Sequence, residues 1–240
     1  YDVLYVLKND GICPEEAMPA PGTMYGDTLN NFNEFLSVME PYVDAVAKNR
    51  APKLSKAWKA GLQGILDAYL GKCPETFVYE GKTYTPQEFA NSLGLNFDDY
   101  VTITSYTHHP FYTSFAVEVQ DNWRQPGSWN LPMDEMAAVI DNAIMNGYTI
   151  AWGSDVSEDG FTREGTAILP DVENASAELD GSDMAKWLKM TEAERRSKPM
   201  AVAQKWVTQE ERQLAYDNRE TTDDHGMQIY GIAKDQNGTE

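Results

Sequence analysis

The sequence predicts an α+β fold with helices in its first half and an antiparallel sheet in its second half. Apolar residues recur at helical spacing before residue 70, whereas β-branched and aromatic residues gather in short runs after residue 100. We divide the 240 residues into a mainly helical part with a small hairpin, 1–99, and a barrel-like sheet part with helices, 100–240. A hydrophobic fraction of 42% is sufficient for a sizeable core.

The first half is predicted to begin inside a helix and to continue with a pair of helices. Tyr1 to Leu7 is followed by Asn9-Asp10-Gly11, which is typical of a helix end. One apolar stripe, Phe32 to Met39, predicts a helix that Pro41 ends or kinks. A second stripe, Leu54 to Tyr69, predicts the helix that packs against it as a hairpin.

A small β-hairpin and a strongly marked helix start follow. Thr76 to Tyr84 alternates around Glu80-Gly81-Lys82, which predicts two short strands joined by a turn. Thr85-Pro86-Gln87-Glu88 then combines a threonine cap, a proline in the first helical position and the glutamate of a capping box. A helix is therefore expected to begin at Pro86.

The second half alternates between predicted strands and helices. Strands or extended segments are predicted at Tyr100–Tyr106 and Ser114–Val119, and strands at Thr149–Trp152 and Met227–Ala233. A helix is predicted from Met133 to Asn146, with Gly147 ending it, and two more begin at the capping boxes of Thr191 and Thr208. The stretch from Ser157 to Ser182 is predicted to be an acidic loop.

Charge and cysteine content exclude several classes of function. The 19 basic and 38 acidic side chains give a net charge of −19, which disfavours nucleic acid and anionic membrane surfaces as partners. No run approaches the roughly 18 apolar residues that cross a bilayer. With two cysteines, Cys13 and Cys73, no disulfide framework is implied, and a single bridge between them stays open without support from their spacing.

His225 is the best candidate for an acid–base group, because the chain has only three histidines and this one stands at the entry to an apolar strand. An imidazole exchanges its proton near neutral pH. By itself the pattern fits equally a surface or core histidine beside two aspartates. The residues around it decide between these interpretations.

Two runs of residues occur in an order found in one family. Ala151-Trp152-Gly153-Ser154-Asp155-Val156 ends one strand, and Asp224-His225-Gly226-Met227 begins another. Together with Gly11-Ile12-Cys13-Pro14-Glu15, they make the chain resemble the papain-superfamily cysteine peptidases, nearest to the aminopeptidase C and bleomycin hydrolase branch. The resemblance implies a papain-like cysteine proteinase fold, here incomplete.

The resemblance also implies the activity. It predicts a thiol protease that hydrolyses peptide bonds at substrate N-termini through a Cys-His-Asn triad, with no cofactor, and only His225 of this triad is in the chain. The segments that carry the family's cysteine and asparagine do not occur here, and we expect the chain to be part of a longer protein and inactive alone. The alternative is a noncatalytic papain-like scaffold that has lost its nucleophile.

The same resemblance suggests the residues that contact a peptide substrate. Asp155, Ser154, Asp224 and Gly226 flank His225 or the strand before it, and Asp155 suits a substrate's free amino group. Asp155 fits equally the role of a turn residue after a strand. Cys13 precedes proline and lacks the helix start and positive surroundings of a reactive thiol, so it is not predicted to be the nucleophile.

A metal hydrolase centred on His108 is the third interpretation. His108 and His109, with Asp98, Asp99 and Asp121, supply residue types that bind metals. Adjacent side chains on an extended strand point to opposite faces, however, so the two histidines are expected not to share an ion. We therefore predict no metal site.

The remaining expectations come from the family alone. Its members assemble into rings of subunits, which implies a homo-oligomer, a hexamer. A cytoplasmic location is implied, while a periplasmic or exported one stays open because the start of the natural chain is not expected to be present.

Overall fold

The structure is a computed structural model that describes residues 2–25, 29–162, 164–172, 182–197, 202–222 and 225–234. The chain divides into two compact units, Tyr1–Tyr100 and Val101–Glu240. Within the described ranges the helices are α1 Val3–Asn9, α2 Asn33–Ala47, α3 Ala57–Leu70, α4 Pro86–Ser92, α5 Met133–Met145, α6 Asp183–Lys189, α7 Glu192–Ser197 and α8 Gln209–Asn218. The strands are β1 Met24–Tyr25, β2 Leu29–Asn30, β3 Phe77–Tyr79, β4 Lys82–Tyr84, β5 Ile103–Thr104, β6 Ser114–Ala116, β7 Gly127–Asn130, β8 Ile150–Ser154 and β9 His225–Ile229.

In the first unit, helices α2 and α3 pack as the predicted hairpin. The buried ring of Phe35 lies 5.6 Å from that of Tyr69, and the hydroxyl of Tyr42 donates to the carbonyl of Trp58 at 2.9 Å. These contacts join the start of α2 to the end of α3 and the middle of α2 to the start of α3. The prediction of two packed helices is confirmed.

Helix α2 corrects one detail of the sequence analysis. Pro41 was expected to end or kink the helix near that residue; it does not end it, since α2 continues through Pro41 to Ala47. Proline removes one backbone N–H, and the helix beyond it still gains one hydrogen bond for each added residue. Here that continuation also places Tyr42 against α3.

The hairpin of β3 and β4 and the helix after it confirm their predictions. The strands pair antiparallel from Phe77↔Tyr84 to Tyr79↔Lys82. Thr85 forms the complete capping box with Glu88 at the start of α4. The ring of Phe89 packs edge-on against Phe77 at 5.4 Å, so the hairpin and the helix share one small aromatic core.

The second unit contains a three-stranded sheet in the order β5-β7-β6, with β5 parallel and β6 antiparallel to β7. The central strand β7 was not predicted, because Gly-Ser-Trp-Asn has few of the residue types that favour strands. The predicted strands Tyr100–Tyr106 and Ser114–Val119 shorten to β5 and β6. Only residues that lie beside β7 gain ladder hydrogen bonds.

A second, two-stranded sheet pairs β8 with β9 antiparallel from Ile150↔Ile229 to Ser154↔His225. Helix α5 leads into β8, and Gly147 adopts a φ of +84° at its end, as the predicted glycine stop requires. Strand β9 begins two residues earlier than predicted, at His225. The turn expected at Asp235 to Gly238 lies outside the described residues.

Helix α8 begins at the predicted capping box, in which Thr208 accepts from the backbone of Glu211. The box predicted at Thr191 likewise begins α7, whereas α6 was not predicted. The architecture of helices and small sheets is α+β, as predicted. In the described part of the chain, no helix combines the length and the apolar character needed to cross a membrane.

Candidate active site

His225 occupies the first position of β9, directly opposite Ser154, the last residue of β8. Directly paired residues of an antiparallel ladder project from the same face of a sheet. The histidine is exposed, whereas the hydroxyl of Ser154 is shielded from solvent and has no hydrogen-bond partner among the described residues. The structure therefore brings His225 and Ser154 together at one end of the ladder.

Asp155 holds the segment that leads to His225. Its Oδ2 accepts from the backbone N–H of Thr222 at 2.8 Å, and its Oδ1 accepts from the N–H of Ser157 at 2.7 Å. Burial by itself raises the pKa of Asp155, but the hydrogen bonds from Ser157 and Thr222 more than offset it and lower that pKa. An ionised carboxylate thus fixes the backbone three residues before the histidine.

These contacts bear on the two interpretations of Asp155. Both of its oxygens are engaged by nearby backbone groups, which is the behaviour of a turn and anchoring residue. Its predicted contact with a substrate amino group stays a prediction.

Two further predicted substrate contacts stand beside the histidine in sequence. Gly226 pairs with Gly153, and a Cβ built on Gly226 would meet no atom of the described residues within 4 Å. The surface around it is therefore open. Asp224 lies outside the described residues.

The ring of His225 makes no side-chain hydrogen bond to the described residues. A catalytic imidazole needs a partner that fixes its tautomer and orientation. The described part of the chain supplies the histidine and its strand but not that partner.

Neither cysteine has the surroundings of a nucleophile. Both Cys13 and Cys73 are free thiols, and both belong to the first unit. Burial raises the pKa of the Cys13 thiol, and the neighbouring Cys73 raises it further through its charge and a hydrogen bond. A reactive thiol needs a lowered pKa, whereas that of Cys13 is raised. Cys13 therefore behaves as the structural residue that the sequence indicated.

The structure overturns the argument that separated His108 from His109. Residues 107–109 form a turn and not an extended strand, so both rings reach the carboxylate of Glu118. The distances from their Nε2 atoms to the nearest carboxylate oxygen are 3.1 Å and 2.8 Å. Glu118 was not among the acidic residues that the sequence suggested as partners.

Helix α8 carries the residues that hold this turn, and sequence reasoning missed them. Gln209 accepts from Ser105 at 3.0 Å, and Arg212 donates to the Ser105 carbonyl at 2.9 Å. Gln213 accepts from the N–H of Thr107 at 2.6 Å. Their spacing of three and four residues marks one face of a helix, which was the available signal, but it does not reveal the partner of that face.

Residues 65–195, more than half of the chain, match the sequence model of the Peptidase C1-like family. The matched range includes Ser154 and Asp155 and ends before His225. A search of curated proteins gives no match.

A crystal structure of PepW from Lactobacillus rhamnosis has the same fold, with a TM-score of 0.61 and 23% sequence identity. The similarity covers 100% of this chain and 53% of PepW, so the chain spans about half the length of that protein. The papain-like fold and the family predicted from Trp152 to Val156 and from His225 are confirmed. The chain belongs to the Peptidase C1-like family, the papain-like cysteine peptidases.

Proposed function

We propose that this chain is part of a cysteine aminopeptidase in which His225 is the catalytic histidine. The observation that carries the proposal is the pairing of His225 with Ser154 at the end of a regular antiparallel ladder, in a chain of the Peptidase C1-like family. A paired strand holds its first side chain more firmly than a loop does. The ordered ladder thus suits an imidazole that must meet a thiol.

In the proposed reaction, the imidazole of His225 accepts the proton of a thiol, and the sulfur bonds to the carbonyl carbon of the first peptide bond. The C–N bond then breaks as the imidazolium returns the proton to the leaving amine. Water hydrolyses the resulting thioester after giving a proton to the same imidazole. The carboxylic acid leaves and the thiol regains its proton.

The nucleophile in this proposal comes from outside residues 1–240. The raised pKa of Cys13 opposes formation of the thiolate, and the exposed thiol of Cys73 lies 3.8 Å from the carbonyl oxygen of Pro74. The length of PepW, of which this chain covers 53%, is compatible with a longer protein. We propose the same origin for the asparagine that orients His225.

Strand β9 offers a place for that asparagine. Among the described residues β9 pairs only with β8, so one of its edges is open to another strand. A strand that pairs there would bring its side chains within reach of the first residue of β9. The backbone at Thr222, which Asp155 holds, would then lie on one side of His225. The asparagine that orients the histidine would lie on the other side.

Asp155, Ser154, Asp224 and Gly226 are the proposed substrate contacts. The open surface at Gly226 leaves room for the backbone of an extended peptide. A carboxylate near the histidine would bind a free amino terminus and so favour removal of single residues over internal cleavage. Asp155 contributes its negative charge in this scheme while it anchors Thr222.

A noncatalytic papain-like scaffold is the alternative, and the longer protein distinguishes the two. We expect that protein to release coumarin from an aminoacyl-coumarin, to lose this activity with iodoacetamide, and to act poorly on the N-acetylated substrate. His225→Ala should lower kcat by about 10²–10⁴-fold, because general acid–base catalysis contributes that much.

Gln228→Ala is the matched control, since Gln228 lies on the same strand and its side-chain amide donates to the hydroxyl of Thr149 at 2.8 Å. It should retain activity near that of the natural protein. Full activity of His225→Ala, or an alkylation-resistant enzyme, would contradict the proposal.

The assembly and location implied by the family are also proposals. We propose a homo-hexamer in the cytoplasm. Light scattering on the longer protein tests the hexamer, and a mass of one or two subunits at micromolar concentration would exclude it.

A further inference from the structure

Two imidazoles and one carboxylate converge at a place that the proposed peptidase reaction does not use. His108 Nε2 lies 3.1 Å from Glu118 Oε2, and His109 Nε2 lies 2.8 Å from Glu118 Oε1. One ligand atom from each residue lies within 4.8 Å of the other two. All three belong to the second unit.

Hydrogen bonds from a buried side chain hold the backbone turn that brings the two histidines together. The fully buried amide of Asn130 donates to the carbonyls of His109 and Tyr106 at 2.9 Å and 2.8 Å. Its Oδ1 accepts from the N–H of Tyr106 at 2.9 Å. The end of β7 therefore holds the backbone at both ends of the turn, at Tyr106 and at His109.

The rings themselves are fixed by packing. His108 stacks on Tyr216 with centroids 5.3 Å apart and planes at 14°, and His109 stacks on Phe115 at 4.0 Å and 23°. Each imidazole thus lies against an aromatic face that limits its rotation. A ligand that binds both rings would restrict little additional motion.

Glu118 is an ionised acceptor at the centre of the cluster. Burial alone raises the pKa of Glu118, but hydrogen bonds from His109 and His108 outweigh it and lower that pKa to about 2. The hydroxyl of Tyr216 also donates to the backbone carbonyl of Glu118 at 3.1 Å, and this bond positions Glu118. Each of its two carboxylate oxygens thus faces one of the imidazoles.

We propose that His108, His109 and Glu118 bind one divalent first-row transition-metal ion, with Zn²⁺ as the representative species. In a tetrahedral Zn²⁺ site, bonds of about 2.0–2.2 Å separate neighbouring ligand atoms by about 3.4 Å. His108 and His109 face different oxygens of Glu118, at 3.1 Å and 2.8 Å, and the three ligand atoms lie within 4.8 Å of one another. The side chains would therefore move together for all three atoms to reach that spacing around one ion.

The donor set determines the class of ion. Two imidazole nitrogens favour Zn²⁺, Co²⁺, Ni²⁺ and Cu²⁺, whereas Mg²⁺ and Ca²⁺ prefer sites built from oxygen atoms. Three protein ligands leave a coordination position for water. His108 and Glu118 are exposed, so solvent reaches that position.

Gln213 contacts the ring of His108, and its amide has to turn when an ion binds there. Its Oε1 accepts from Thr107, so its Nε2, 3.1 Å from His108 Nδ1, donates to that nitrogen and leaves the ring proton on Nε2. An ion bound at Nε2 displaces this proton. Nδ1 then carries a proton, and the nearest acceptor is Gln213 Oε1 at 3.4 Å.

The test is titration of the metal-free chain with Co²⁺ followed by visible absorption, with calorimetry of Zn²⁺ binding alongside. We expect one ion per chain, absorption bands of a low-coordinate Co²⁺ site, and retention of binding in a large excess of Mg²⁺. The Mg²⁺ excess occupies the weak sites that a net charge of −19 creates.

His109→Ala and Glu118→Gln should each weaken binding of the ion by at least about 10-fold. Even the loss of a residue that only hydrogen-bonds a metal ligand lowers metal affinity about 10–100-fold. His225→Ala is the matched control, because it removes the chain's third histidine and should leave affinity and stoichiometry unchanged. Glu118→Gln keeps the shape of the side chain while it removes the charge. Circular dichroism of each variant checks that it is folded.

Absence of Co²⁺ bands in the folded chain would overturn the proposal. So would equal binding by the chain and the Glu118→Gln variant, or loss of the ion on addition of Mg²⁺. None of these readouts depends on peptidase activity, so the outcome is independent of the proposed function.

Discussion

The side-chain amide of Asn130 binds the backbone of Tyr106 at both of its polar groups. Oδ1 accepts from the N–H at 2.9 Å, and Nδ2 donates to the carbonyl at 2.8 Å. The same Nδ2 also lies 2.9 Å from the carbonyl of His109. One fully buried side chain therefore replaces a strand partner where β5 ends and the histidine turn begins.

We expect Asn130→Ala to lower the free energy of unfolding by about 2–3 kcal/mol, because it removes the hydrogen bonds of a fully buried side chain to the part-buried backbone of Tyr106 and His109. Denaturant unfolding followed by circular dichroism measures this change. Asn91→Ala, an exposed position on α4, is the control and should change stability by less than about 0.5 kcal/mol. Equal effects of the two substitutions would contradict the role of Asn130.

Gly11 combines a left-handed backbone with a close backbone neighbour. Its φ is +85°, and a Cβ built there would lie 2.3 Å from the carbonyl carbon of Pro86. We expect Gly11→Ala to destabilise the chain by about 3 kcal/mol or more, because conformational strain adds to a clash with backbone that cannot move aside.

Gly94→Ala is the matched control for that change. Gly94 has a φ of +68° and no atom within 4 Å of the built Cβ, so it carries the conformational strain without the clash. Its expected cost is about 1–2 kcal/mol. Thermal unfolding of both variants should rank Gly11→Ala as clearly less stable, and the reverse order would show that Gly11 is not packed against α4.

The carboxylate of Asp155 predicts a pH dependence. Its pKa is lowered in the folded chain, since the hydrogen bonds from Ser157 and Thr222 outweigh the opposing effect of burial. Its contribution to stability is therefore fully present above the ordinary aspartate pKa, near 4, and is lost as the pH falls through the lower folded value.

Asp155→Asn removes this titration without changing the size of the side chain. The variant should be less stable than the natural chain at pH 7, and the difference should shrink as the pH falls below about 4. Denaturant unfolding at several pH values measures it. A difference that is constant with pH would mean that the charge of Asp155 does not support Thr222.

The two free thiols should react at different rates. Cys73 is exposed, whereas Cys13 is partly buried and its pKa is raised by burial and by Cys73. Limiting iodoacetamide at pH 8 followed by peptide mapping should show Cys73 modified first, because only the thiolate reacts. In Cys73→Ser the alkylation of Cys13 should stay slow; rapid alkylation would reopen Cys13 as a candidate nucleophile.

Local signals in the sequence predicted the elements whose cause is local. The capping boxes at Thr85, Thr191 and Thr208 mark true helix starts, and Gly147 marks a true helix end. These features involve atoms only a few residues apart. Strand β7, in contrast, has little strand propensity and exists because β5 and β6 pair with both of its edges.

In the candidate sites, too, local features could be predicted from the sequence, whereas contacts between distant residues could not. The order of Trp152, Asp155 and His225 indicated the family and placed the histidine at the head of a strand. The partnership of Asp155 with Thr222, 67 residues apart, could not be read from either residue. The approach of Glu118 to His108 and His109 required a turn whose geometry depends on buried Asn130.

The sequence by itself determined the fold class, the family, most helix limits and the place of His225 on its strand, because periodicity, capping and residue order are properties of neighbouring residues. Only the tertiary structure decided that Asp155 anchors the approach to that histidine and that His108, His109 and Glu118 share one point in space. Such contacts depend on distances between residues far apart in the chain, and those distances exist only once the sheets and α8 have packed.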